Sequence, residues 1–326
     1  FKKAFKYTLR PQGQDIIRTW LYYSLLRVYQ LTGKPAFKWV RITGMGLDEK
    51  GEAMHKSKGN VIDPEPYIDK YGADAFRYWA AAAAKLGYDY RFSEQVIRTG
   101  YLFATKLWNI ARFISMFPQP SKEPELRPID KATIAYLNHV LKEIDEAYSE
   151  LDVYEPINKI YQFTWNYFAS HYIELVKSRA YNRDNKFSPE EQEAAWYTLH
   201  YVLNRILRAL APIMPFVTDA IYRRLYGKTV HLEKFPDPDP EWLKEDYSLA
   251  LVVQEINSAI WSYKKKHNIK FKEPLKTKVY LPLEAEKSLK ELVELHKLEN
   301  IEFYDEKSIS ELENKLRINN VFFDEQ

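Results

Sequence analysis

Cysteine is absent from all 326 residues. That excludes disulfides, thiol catalysis and Cys-ligated zinc, and favours an intracellular setting. No run of about 18 apolar residues occurs, so no membrane-spanning helix is expected. The chain opens FKKAFKYTLR, with no Met and no signal-peptide apolar region, and reads as starting inside a domain. Repeats and low-complexity tracts are missing, and so is a GxxxxGK[ST] phosphate loop, which excludes a kinase-like P-loop binder. Charge of either sign is not in excess. The 48 basic and 45 acidic residues leave a net +3, too little to imply nucleic acid without local clustering.

What is present is apolar and aromatic material. Hydrophobic residues make up 46% and aromatics 15%, enough for large cores and for stacking surfaces. The length suggests two or three domains. Asp15 to Gln30 carries a broad apolar helical face and stops before Thr32-Gly33-Lys34-Pro35. Phe37 to Thr43 alternates with β-forming residues and predicts a strand, so the two make half of a βαβ unit. Helices follow. Asp63-Pro64 opens one that Gly72 closes, and Ala73 to Lys85 is alanine-rich. Further helical periodicity runs from Ser93 towards Phe117, then over 130–151, 154–179, 188–210 and 215–226. Ser188-Pro189-Glu190-Glu191 forms a capping box. Short loops between such helices predict an antiparallel bundle. Beyond the Pro- and Asp-rich stretch 231–245, the pattern helix 247–267, strand 277–282, helix 283–298 and weak strand 301–304 predicts a small α/β appendage.

The stretch AMHKSKGN, residues 53 to 60, follows Gly44-Met45-Gly46. Lysines on a mobile loop can stabilise charge that accumulates on phosphate oxygens, and backbone N–H groups near a glycine can assist. A solvated basic turn is the competing reading. AMHKSKGNVIDP resembles the KMSKS loop of class I aminoacyl-tRNA synthetases, in its fuller form KMSKSLGN. Met54, Lys56, Ser57, Gly59 and Asn60 match; Ala53, His55 and Lys58 replace Lys, Ser and Leu. The resemblance implies that Lys56, with Ser57 and Lys58, serves adenylate formation, and that His55 and Gly59 lie at ATP. RPQGQDIIRTWLYY, residues 10 to 23, resembles the segment after the editing insertion in valyl-tRNA synthetases of archaeal and eukaryotic type. It implies that Gly13 and Gln14 approach adenosine, with Gln14 standing where His is usual. Asp15 would bind ribose or the substrate amine, and Ile16 and Trp20 would line a small aliphatic pocket. Asp15 as a helix cap and Trp20 as a core residue are the alternatives.

VIDPEPYIDKYGADAFRYW resembles the family's stem-contact region. KLWNIARFI, FTWNYFASHYIELVK and LAPIMPFVTDAIYRRL resemble helices of its anticodon-binding bundle. In KLWNIARFI, Lys106, Asn109 and Phe113 share one helical face with Arg112 beside them. The resemblance makes Arg112 and Phe113 candidates to hold anticodon bases; helix packing for Phe113 and a solvated face for Lys106 compete. Trp108 is expected in the core. Lys264-Lys265-Lys266-His267 with Lys270, Lys272, Lys276 and Lys278 is the densest basic region, either tracking RNA phosphates or simply solvated.

The expected fold is mainly α with α/β parts. Residues 1–60 would form the C-terminal part of a Rossmann-type catalytic domain with the KMSKS-like loop, and 61–92 stem-contact helices. Residues 93–245 would form the helical anticodon-binding domain, and 246–326 a small α/β tail. The resemblance implies valine–tRNA ligation, with ATP and L-valine as substrates, Mg2+ accompanying ATP, no zinc, and tRNA(Val) as partner. It further implies a monomeric cytoplasmic enzyme without a membrane partner. Lacking a HIGH motif and an editing domain, the chain is expected to be inactive alone. An isoleucyl or leucyl enzyme, or a non-catalytic tRNA-binding helical module, are the rival readings.

Overall fold

The computed structural model describes residues 7–305 and 307–324; Phe1 to Lys6, where the expected catalytic part begins, lie outside them. The chain divides into two compact units, one of residues 1–105, 143–159 and 210–220, the other of residues 106–142, 160–209 and 221–326.

In the first unit, strand β1 (Tyr7–Gly13) lies parallel to β2 (Phe37–Thr43), pairing Leu9 with Trp39 and Gly13 with Thr43. The connection is helical, as the periodicity predicts, but it is not one α-helix. A 3-10 turn (Gln14–Ile16) and a π-helical turn (Ile17–Leu21) precede α1 (Tyr22–Thr32), which ends at left-handed Gly33. None of these three segments contains a buried residue. Strand β1 went unforeseen because YTLRPQG has neither strict alternation nor a β-branched run, and Pro argues against a strand.

A second parallel pair joins β3 (Gly46–Leu47) to β4 (Tyr90–Arg91). Helices α2 (Glu65–Tyr71) and α3 (Ala73–Ala83) fall between them, and α4 (Glu94–Ile114) follows. Ala75, Trp79, Phe92 and Ile97 form the local core. Gly100 lets α4 approach α3: a Cβ there would lie 2.7 Å from Tyr78 Cβ. The buried Asp74 carboxylate accepts the Phe216 and Val217 amides at 3.2 and 2.6 Å, capping a helix whose own start, Pro215-Phe216, offers no capping side chain.

The bundle is built from α5 (Pro128–Ser149), a long helix of α6 (Tyr154–Tyr161), a π-helical stretch (Gln162–Tyr172) and α7 (Ile173–Tyr181), then α8 (Pro189–Leu210) and α9 (Pro215–Tyr226). The predicted capping box forms at α8: the Glu191 amide donates to Ser188 Oγ at 3.2 Å and the Ser188 amide to Glu191 Oε2 at 2.8 Å. Aromatic rings fill the interior around the π-helical stretch, with Phe163, Tyr167, Phe168 and Tyr172 all buried.

The C-terminal segment contains α10 (Ser248–Lys266), β5 (Val279–Pro282), α11 (Leu289–His296), β6 (Ile301–Tyr304), β7 (Leu316–Ile318) and β8 (Val321–Phe323). The sheet order is β6-β5-β8-β7, with β5 parallel to β6 and the other pairs antiparallel. The α/β appendage is as expected. Its last two strands were missed because each is only three residues long.

Candidate functional site

Two parallel strands bring the first candidate residues together. Gly13 and Thr43 are register partners at the carboxyl ends of β1 and β2. In open α/β sheets the ligand crevice lies outside such ends. From the β1 end the chain enters the Gly13–Trp20 segment; from the β2 end it enters the Gly44–Gly46 turn that leads to the lysine loop. Gln14 Nε2 donates to Asp89 Oδ1 at 2.8 Å, and the same oxygen accepts the Met45 amide at 2.7 Å. Gly44 is needed there because a Cβ would meet the Tyr88 carbonyl oxygen at 1.9 Å.

The lysine loop has a built base. Asp48 is buried, and its Oδ1 accepts the Lys50 and Glu52 amides at 3.0 and 2.8 Å. Its Oδ2 accepts Asn60 Nδ2 at 2.9 Å. The Asn60 amide, followed by the Glu52 backbone amide, holds the Asp48 carboxyl below the usual carboxylate range. Asn60 also donates to the Ala53 carbonyl at 3.1 Å and accepts the His55 amide at 2.9 Å. Ala53 pairs with Leu47 in an isolated antiparallel bridge, so the position where the family carries its first lysine sits at the loop's base.

Lys56–Lys58 form a single 3-10 turn ended by Gly59 at φ +67°, a conformation that favours glycine. His55, Lys56, Ser57, Lys58 and Gly59 are all exposed. The two lysines differ. Lys58 faces Glu52 at 3.8 Å, and Lys56 has no carboxylate partner among the described residues.

The pocket candidates lie in the open. Asp15 sits inside the 3-10 turn rather than at its cap, with its carboxylate beside Gly13, where a Cβ would lie 2.5 Å from Oδ1. Ile16 is half-buried, while Trp20 is 66% exposed and belongs to no core among the described residues.

The helix α4 candidates divide between neighbours. Lys106 Nζ stands 5.4 Å from the Trp165 ring centroid. Phe113 is half-buried, edge-on to Phe117 at 5.1 Å and Tyr181 at 5.9 Å, with Lys177 Nζ 5.9 Å from its ring. Asn109 is exposed. Arg112 faces the other way, lining a cavity of about 220 Å³ with Trp108, Ala111, Ser115, Ile221 and Arg224. Trp108 is not a core residue: it is 38% exposed and the Arg224 guanidinium lies 4.6 Å over its ring. Apolar spacing on a helix does not separate a core tryptophan from one covered by an arginine.

The basic C-terminal run is not one continuous face. Lys264 is fully buried and its ammonium donates to the Phe271, Glu273 and His296 carbonyls at 3.1, 2.7 and 2.8 Å. It neither tracks RNA nor meets solvent. Among the described residues, no group of three or more His, Cys, Asp or Glu side chains could hold a metal. Sequence reading missed Asp48 and Asp89: Asp48 stands among other acids in LDEKGE, Asp89 between two tyrosines, and no motif marks either.

Residues 1–93 match the family model for tRNA synthetases class I (I, L, M and V), and residues 130–280 match that for the anticodon-binding domain of tRNA ligase. The valine–tRNA ligase of Aeropyrum pernix is 59% identical over 302 residues, covering 91% of this chain and 37% of that protein. Those of Pyrobaculum aerophilum and Nanoarchaeum equitans are 53% and 40% identical, covering 92% and 90% of this chain. The chain thus spans 37–38% of the length of these relatives. The LeuRS of Agrobacterium radiobacter K84, solved in a ternary complex with tRNA and LeuAMS, shares the fold over 72% of this chain and 30% of its own, with a TM-score of 0.55 and 17% identity. With these matches running in order along it, the chain belongs to the class I aminoacyl-tRNA synthetases, and valine–tRNA ligases are the relatives it resembles over nine-tenths of its length.

Proposed function

We propose that this chain is the part of a valine–tRNA ligase that carries the KMSKS-like loop and the anticodon-binding bundle. The reaction is ATP plus L-valine plus tRNA(Val) giving valyl-tRNA, AMP and diphosphate. The observation that carries this reading is the Lys56–Lys58 turn, held on Asp48 and Asn60 and delivered from the carboxyl ends of parallel strands. In adenylate formation the valine carboxylate attacks the α-phosphorus and diphosphate leaves. The Lys56 ammonium, without a carboxylate partner among the described residues, stabilises the charge that grows on the departing oxygens. Mg2+ enters with the nucleotide. Gly13, Gln14, Asp15, His55, Ser57 and Gly59 bind ATP and the adenylate, and Ile16 and Trp20 border the valine side chain.

In the same reading residues 1–60 belong to the catalytic domain, 61–92 contact the acceptor stem, 93–245 bind the anticodon arm and 246–326 form the appendage. Lys106, Asn109 and Phe113 face the anticodon, and Arg112, on another side of α4, meets the same RNA beside Trp108 and Arg224. The family resemblance also carries a monomeric, cytoplasmic enzyme with no membrane partner; no described helix is long and apolar enough to cross a membrane. The test is ATP–diphosphate exchange by the full-length protein containing this chain. Valine should support exchange at least about 100-fold better than isoleucine, the scale of one methylene in an apolar pocket. No exchange with valine, or a preference for isoleucine, overturns the assignment.

A further inference from the structure

Tyr88 to Phe92 form a floor under the lead-in to the lysine loop. The Tyr90 amide donates to the Met45 carbonyl at 3.0 Å, and the Phe92 amide to the Leu47 carbonyl at 2.8 Å. Arg91 lies against the Gly51 turn, where a Cβ would sit 2.6 Å from its guanidinium. The floor is anchored in the local core: Phe92 is buried, with Trp79 and Tyr67 edge-on to its ring at 5.3 and 4.9 Å.

The Gln14–Ile16 turn that leaves β1 has no such anchor, since none of its residues is buried. Among the described residues, the bond from Gln14 Nε2 to Asp89 Oδ1 is the only hydrogen bond that a side chain of this turn makes. The same Oδ1 holds the Met45 amide. One carboxylate oxygen thus ties the residue that follows β1 to the turn that follows β2, and both to the anchored floor.

The chemistry of the pair also sets a direction. A carboxylate only accepts hydrogen bonds, whereas a glutamine side chain donates at one end and accepts at the other. Asp89 therefore selects the NH2 end of Gln14. The opposite end, Oε1, accepts no hydrogen bond among the described residues and is left as an acceptor at the carboxyl end of β1.

We infer that Asp89 is a positioning residue for adenylate formation. It turns the Gln14 carbonyl oxygen toward a hydrogen-bond donor on the nucleoside, and it holds the Met45 amide so that the lysine loop starts from a fixed point. The inference rests on the proposed place of Gln14 at ATP, and adds to it a residue that touches no substrate itself.

The test is valine-dependent ATP–diphosphate exchange by the full-length protein, with urea midpoints measured alongside. Losing one aimed hydrogen bond is worth about tenfold, so Gln14→Ala should act chiefly by raising the ATP KM about tenfold. Asp89→Ala should raise the ATP KM by the same factor and also lower kcat about tenfold, because the start of the loop is loosened. The double variant should match Asp89→Ala, since residues that act through one another do not add. Asp89→Asn keeps an oxygen for the Met45 amide but no longer dictates which end of Gln14 it meets. It should recover kcat to within about threefold while the ATP KM stays raised. Variants that lower the urea midpoint and move KM and kcat together, as a scaffold role alone would, overturn the inference. So do KM losses that multiply in the double variant, or an Asp89→Ala enzyme within about twofold of the parent in both constants. Each of these leaves the valine–tRNA ligase reading standing. A parent protein without valine-dependent exchange removes that reading, and the role of Asp89 with it.

Discussion

The Asn60 side chain bridges Asp48 Oδ2 at 2.9 Å and the Ala53 carbonyl at 3.1 Å, closing the base of the lysine loop through one amide. Removing it should leave Lys56 in place chemically but poorly aimed. Asn60→Ala in the full-length enzyme should slow ATP–diphosphate exchange by about 10- to 100-fold, the scale of a small misplacement at a reacting centre. Urea stability should move much less than the rate. A rate within about threefold of the parent would show that the loop is shaped by its own turn alone.

Trp20 projects from the π-helical turn with 66% of its surface exposed, so this chain gains little stability from it. Trp20→Ala should change the chain's unfolding free energy by no more than about 0.5 kcal/mol. In the full-length enzyme the same substitution should erode the valine-over-isoleucine ratio by about 1–3 kcal/mol. A large loss of stability with an unchanged ratio would return Trp20 to a structural role.

Buried charge ties the bundle to the appendage. Arg179 and Asp130 are fully buried and paired at 2.5 Å; Arg179 Nε lies 3.5 Å from the buried Glu291, which also accepts Arg127 Nε at 2.7 Å. Arg179→Met would leave the buried Asp130 carboxylate without its cation, while Glu291 keeps Arg127. Urea denaturation should report a loss of about 3–5 kcal/mol. A loss under about 1 kcal/mol would mean that water reaches this network.

His171 and His296 flank Trp261 at 5.4 and 5.5 Å. Burial pushes the His171 imidazole down to about 4; burial, then the nearby Lys264 and His171, push His296 down to about 3. Both folded values lie below the ordinary value of about 6.5, so the unfolded chain binds protons first as pH falls. Stability should therefore decline from about pH 6.5 downward, by about 1.4 kcal/mol per pH unit for each histidine fully in its window. Denaturation midpoints at about pH 7 and pH 5 check this, and His296→Gln should reduce the difference.

The helices were legible because apolar spacing and caps are local. Ser188 and Glu191 announce α8, and their hydrogen bonds form as predicted. The lysine turn was legible as a motif, but its support was not. Asp48 lies 12 residues from Asn60, and nothing in LDEKGE marks that acid from its neighbours. Lys264 shows the opposite failure. Within Lys264-Lys265-Lys266 composition suggests one basic face, yet helix geometry turns the first lysine inward, where three carbonyls receive it. Local pattern identifies elements; pairing across long separations decides which side chains are free to act.

Lys56 and Lys58 differ by one pairing: Lys58 faces Glu52 at 3.8 Å, whereas Lys56 has no carboxylate partner among the described residues, and the proposed function gives the chemistry to Lys56. The direct measurement is valine-dependent ATP–diphosphate exchange by full-length enzyme bearing Lys56→Ala or Lys58→Ala. Lys56→Ala should lose about 100- to 1,000-fold, the value of one preorganised transition-state donor, and Lys58→Ala less than about threefold. The reverse order, or equal and small losses, would contradict the assignment of the Lys56 turn to diphosphate departure.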